Sequence, residues 1–196
     1  IKALGVEDIG NAEEVSPILT NSQNYSWNRK VFPKAKIEAS IKSRGYKTTS
    51  SIESPFQFGT KEGVEPATTV VARISESYQM AFTYVAERGV YQKHRNALTS
   101  PVHVTHTGGT IEVSNVIIMY DNRFTDAADA KRIDFTLEKG SGTLASGGTC
   151  RAICWERTNS GLKYYENDGT TPLTVATGKT FVCLASNTLR SSTVIY

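Results

Sequence analysis

Apolar and polar side chains alternate along most of the patterned stretches of this chain. Ala35, Ile37, Ala39 and Ile41 interleave with Lys34, Lys36, Glu38, Ser40, Lys42 and Arg44, and Ile133, Phe135 and Leu137 interleave with Arg132, Asp134, Thr136 and Glu138. Successive side chains on a strand point to opposite faces, so a period of two predicts half-buried sheet. On this reading strands cover 34–44, 68–75, 78–85, 111–120, 133–137, 150–157, 162–166, 181–185 and 189–196, with Val102 and Val104 on a further short one. Ile37, Ile41, Ile133, Phe135 and Leu137 are the expected core positions.

Turn residues punctuate these runs. Gly108-Gly109, Asn159-Ser160-Gly161 and Asn167-Asp168-Gly169 predict tight turns, because glycine and asparagine reach positive φ at little cost. Gly140-Ser141-Gly142 and Gly147-Gly148 read as one flexible connection. Thr125-Asp126-Ala127-Ala128-Asp129 reads as a short helix with Thr125 as its cap. About eight to ten strands at this spacing predict an all-β, single-domain antiparallel β-sandwich, best matched by a jelly roll. Residues 1–30 are acidic early and apolar-poor, and read as an extended N-terminal arm; 31–196 read as the sandwich domain. The start at Ile1 reads as a processed or trimmed end.

Composition narrows the class without naming a function. A chain of 196 residues with 39% hydrophobic and 21% charged residues can fold around a real core, so wholesale disorder is excluded. No run of about 18 apolar residues is present, so no membrane span is expected. The net charge of +3 is too small to imply a polyanionic partner by itself, and any such partner must be met locally.

The local candidate is a basic run of Arg29, Lys30, Lys34, Lys36, Lys42, Arg44 and Lys47 against one acid, Glu38. On a strand Lys34, Lys36, Lys42 and Arg44 share parity, and cations at regular spacing on a rigid sheet can track nucleic-acid phosphates. The competing reading is a solvated face whose lysines discourage edge pairing.

Catalytic and metal chemistry find no motif. His103 and His106 would face opposite ways on a strand, and Asp121, Asp126 and Asp129 match no calcium loop. Cys150 and Cys154 would lie about 13 Å apart along one strand, beyond disulfide reach, and either meets Cys183 only if their strands are neighbours. All three read as buried free thiols. Trp155 shares parity with Ile153 and reads as core. No catalytic residue, metal or cofactor is expected.

The resulting expectation is a non-enzymatic structural protein that self-assembles: first a virion coat (capsid) protein packaging nucleic acid, with itself as partner in a homo-oligomer or particle. The alternative is an adhesin, filament or phage-tail subunit at the cell surface or outside the cell, completing a neighbour's sheet.

Overall fold

The computed structural model describes residues 18–19, 30–31, 34–49, 54–105, 108–125, 127 and 133–196. The chain divides into two compact units, Ile1–Ile52 and Glu53–Tyr196. The boundary expected at residue 30 thus falls inside the first unit, and the compact β unit begins at Glu53. Most of the expected arm, with Arg29, lies outside the described residues, as do His106, Asp126 and Asp129.

In the first unit, β1 (Ile18–Leu19) pairs antiparallel with β2 (Lys30–Val31), and α1 (Lys34–Arg44) follows. The strand expected over 34–44 is therefore a helix. Its apolar residues satisfy both periods at once: at about 100° per residue Ile37 and Ile41 stack on one side, and Ala35 and Ala39 stack on the other. Alanine, lysine and glutamate favour helix, and Lys34 meets Glu38 at 3.5 Å one turn on. Gly45 closes the helix at φ 64°: Tyr46 N–H donates to the Ile41 carbonyl at 3.0 Å and Gly45 N–H to the Lys42 carbonyl at 3.3 Å. This is a Schellman ending, which needs a left-handed residue at that position. Ile37 and Ile41 are half-buried rather than enclosed.

The second unit contains β3 (Gln57–Phe58), β4 (Glu65–Pro66), β5 (Thr69–Arg73), β6 (Gln79–Val85), β7 (Val90–Lys93), β8 (Glu112–Val113), β9 (Asn115–Asp121), β10 (Arg123–Thr125), β11 (Ile133–Phe135), β12 (Lys139–Ser146), β13 (Thr149–Thr158), β14 (Gly161–Glu166), β15 (Thr174–Val175), β16 (Thr180–Ser186) and β17 (Val194–Ile195). A large sheet runs β14-β13-β12-β9-β16 with β4 also on β13, and a small sheet runs β17-β5-β6-β7-β8. The all-β, two-sheet expectation holds. The jelly-roll order is not seen: hairpin neighbours dominate both sheets, and β16 runs parallel to β9.

Every residue of β9, Asn-Val-Ile-Ile-Met-Tyr-Asp, is buried, because both faces of the large sheet are covered there. Val116, Ile118 and Tyr120 join Val70, Ala72, Phe82, Tyr91, Ala145 and Cys183 in a core between the two sheets. Ile117 and Met119 face the other way into a second core with Leu144, Ile153, Trp155, Tyr164, Leu173 and Val175. Trp155 is buried as expected, and its Nε1–H donates to the Ser141 carbonyl at 3.0 Å.

Several local expectations change. Gly140 and Gly142 lie inside β12, not in a flexible connection. A Cβ at Gly140 would sit 2.7 Å from the Trp155 ring, and one at Gly142 would sit 2.5 Å from the Ile118 carbonyl oxygen. Gly147 and Gly148 form the two-residue hairpin loop after it, both at positive φ. Thr125 ends β10, and the short helix expected after it falls on residues of which 126 and 128–132 lie outside the described ones. Ile133 pairs with Thr125 in a two-stranded ribbon too narrow to enclose a face, and is 52% exposed. Phe135 and Leu137 are half-buried. The strand expected over 189–196 is a 3-10 helix, Asn187–Ser192, followed by the short β17.

Candidate functional site

The sandwich core stops before the large sheet does. On the face that meets the small sheet, Ala145 and Cys150 are opposite each other and buried; one step along, Thr143 and Ala152 are opposite each other and less covered. A cleft of about 540 Å³ opens over this step. Cys150, Ala152, Thr143 and Tyr120 belong to its floor strands, Val64 and Glu65 lie on one side, and Arg190, Thr193 and Ile195 on the other. Its size suits a small-molecule site.

The polar groups of this cleft are held in place. Arg190 donates from one guanidinium nitrogen to Ser141 Oγ at 2.8 Å, and its guanidinium carbon stands 4.8 Å from the centroid of the Tyr120 ring. Stacking and a single hydrogen bond orient the cation while its other N–H groups have no partner among the described residues. Thr193 Oγ1 is buried with no hydrogen-bond partner among the described residues. Val64, on the opposite side, is 91% exposed. Burial and then the Glu65 charge push the Cys150 thiol above its ordinary range, so it stays protonated.

Arg151 also lines the cleft, and its guanidinium locks the sheet to the covering loop. It donates to both Glu166 carboxylate oxygens, at 3.0 and 3.3 Å, and to the carbonyls of Lys61 at 2.7 Å and Thr174 at 2.5 Å. Lys61 Nζ reaches Glu166 Oε2 at 3.2 Å. Burial raises the Glu166 carboxyl, but the hydrogen bonds from Arg151, the Thr174 N–H and Lys61 outweigh it and hold it below its usual value.

The expected basic strand face does not exist. Lys34, Lys36, Lys42 and Arg44 sit on α1 at roughly 0°, 200°, 80° and 280° around its axis, so they encircle the helix instead of sharing a side. Lys30 lies on β2, Lys47 lies beyond the helix, and Arg44 donates to Tyr46 Oη at 3.2 Å. The three cysteines are free, Cys150 and Cys183 buried and Cys154 half-buried. A hydroxyl does meet an imidazole, Thr83 Oγ1 to His94 Nε2 at 2.9 Å, with His94 Nδ1 engaged by the Ser100 carbonyl at 2.8 Å. Neither residue borders the cleft. The cleft residues went unnoticed in the sequence because they come from five separated segments and carry no common spacing.

The fold and the cleft together define an all-β, two-sheet domain with a preformed surface site. Residues 69–182, more than half of the chain, match the family described as "Protein of unknown function (DUF3048) C-terminal domain", and the chain belongs to that family. It is also similar to the crystal structure of the YerB protein from Bacillus subtilis, with a TM-score of 0.72 and 17% sequence identity. That likeness covers 95% of this chain and 60% of the YerB chain, so this chain spans less than two thirds of its relative's length. At such identity it shows the fold. No curated protein sequence matches the chain.

Proposed function

We propose that the Glu53–Tyr196 unit is a non-catalytic ligand-binding module whose cleft takes a small molecule with an apolar body and one anionic group. The observation that carries this reading is Arg190, oriented by Ser141 and Tyr120 yet with donors to spare beside a cleft. A guanidinium held in this way binds a carboxylate or phosphate without first losing its own rotamer freedom. Val64, Ala152 and Ile195 supply apolar contact, and the buried Thr193 hydroxyl supplies a further polar partner. The upward push on the Cys150 thiol, which disfavours the thiolate, and the absence of Thr83 and His94 from the cleft's lining support a binding role over a catalytic one.

The capsid expectation drew on a regularly spaced basic strand face, and the helical placement of those residues removes that support. Assembly as such depends on the sheet edges.

Titrating nitrogen-15-labelled protein with hexanoate, and in parallel with hexylamine, tests the reading. Hexanoate is expected to shift the amide signals of Ala152, Arg190 and Thr193, with Arg190→Ala weakening the response about tenfold or more. Absence of shifts with hexanoate, or equal shifts with hexylamine, overturns it.

A further inference from the structure

We propose that two copies of this chain associate through the free edge of β16, joining their large sheets into one. β16 is the last strand of that sheet, and no described residue pairs with its outer side. The hydrogen-bond pattern identifies which groups are free. The Lys179 carbonyl accepts from Asn115 N–H at 3.2 Å, and Thr180 is opposite Asn115 in a parallel ladder. In such a ladder alternate residues bond the neighbour, so 181, 183 and 185 bond β9 while Thr180, Val182 and Leu184 turn their N–H and C=O groups outward.

Natural edges are blunted by charge, proline or a bulge, and this one has none of them. Thr180–Ser186 reads Thr-Phe-Val-Cys-Leu-Ala-Ser, seven residues without a charge or a proline, and Val182, the third of them, is 42% exposed.

A second copy is the occupant that the edge favours. Antiparallel pairing about a two-fold axis sets Val182 against Leu184 of the other copy and Thr180 against Ser186, so each outward donor meets an outward acceptor reciprocally. The uncharged run meets itself without like-charge repulsion. Lys179, the cation just before it, falls opposite the neutral Asn187 of the other copy. Along Thr180–Ser186 no charge selects a foreign strand. Seven paired residues cover less than the about 1,200–2,000 Å² of a standard interface, so the association is weak and concentration-dependent.

The proposal is independent of the cleft reading. Sedimentation equilibrium of the full chain up to millimolar concentration is expected to show a monomer–dimer equilibrium. Amide exchange at Val182 and Leu184 should slow as concentration rises, while that of Cys183, already bonded to β9, stays unchanged. Val182→Lys and Val182→Pro should each weaken dimerisation about tenfold or more. The proline costs no bond within the chain, because the Val182 N–H faces outward. A strictly monomeric chain at millimolar concentration, or a dimer that both variants leave intact, overturns the proposal.

Discussion

Arg151 and Glu166 face each other from neighbouring strands with both side chains almost fully enclosed. Two charges removed from water are tolerated because the guanidinium and the carboxylate meet at two points and the remaining donors reach backbone carbonyls. Arg151→Ala would leave the carboxylate with only Lys61 and one amide, and is expected to cost about 3–5 kcal/mol in urea unfolding. The folded Glu166 carboxyl titrates below its ordinary 4.5, so its contribution is complete above that pH and is lost as pH falls through the folded value. Cys183 works in the opposite sense. Burial pushes its thiol from 9.0 up to about 12, against a smaller downward pull from Lys93. Its contribution is complete below pH 9.0 and is lost as pH rises toward about 12, because the unfolded chain ionises first. Cys183→Ala should flatten alkaline unfolding over that window, measured by fluorescence at fixed urea. An unchanged slope would assign alkaline sensitivity to other groups.

At the level of elements, the β12–β13 hairpin separates two roles of glycine. Gly147 sits at φ 60° with open space where a Cβ would project, whereas Gly148 at φ 78° would place a Cβ 2.7 Å from the Tyr84 ring. Gly147→Ala should cost about 1–2 kcal/mol for the left-handed backbone alone. Gly148→Ala should cost more, since Tyr84 must also move within a packed core. Equal losses in thermal unfolding would show that the loop, not the ring, sets the constraint. The same hairpin shows what sequence conveys and what it hides. β13 was legible from alternation, whereas β12 read as a flexible connection because Gly140 and Gly142 carry no side chain to alternate and lie there under Trp155 and Ile153. α1 was misread because Ala35, Ile37, Ala39 and Ile41 fit a period of two and an i, i+4 pattern equally. The cues that separate them were helix-favouring residues and a terminal glycine, which alternation does not weigh. Ile133 kept the right period and lost its burial because no layer among the described residues covers its ribbon.

On the scale of the whole molecule, both hydrophobic cores, among the described residues, draw on Glu53–Tyr196. A fragment of 53–196 is therefore expected to unfold cooperatively with near-ultraviolet circular dichroism like that of the full chain; a molten fragment would contradict this. The candidate site was far less legible than the fold. A charge run is visible as adjacent letters, but a cleft between β4 and the segment before β17 exists only once tertiary packing brings 64–65 and 190–195 to one sheet. Arg190 stands alone in a polar stretch, and only Tyr120 and Ser141, each about 50 residues or more away in the chain, give it meaning.

The parallel seating of β16 beside β9 also sets a timetable for synthesis. Asn115, at the head of β9, hydrogen-bonds the Ala176 carbonyl and Thr180 Oγ1, and Tyr196 exchanges backbone bonds with Thr69 at 2.7 and 3.2 Å. β9 therefore leaves the ribosome with one side unsatisfied and waits until some 65 further residues have followed it. Pairings this distant in sequence form slowly, and an exposed apolar strand in the interval is a target for aggregation. A nascent chain halted before residue 180 should remain bound to chaperones, and one halted only once residue 196 has cleared the ribosome should not.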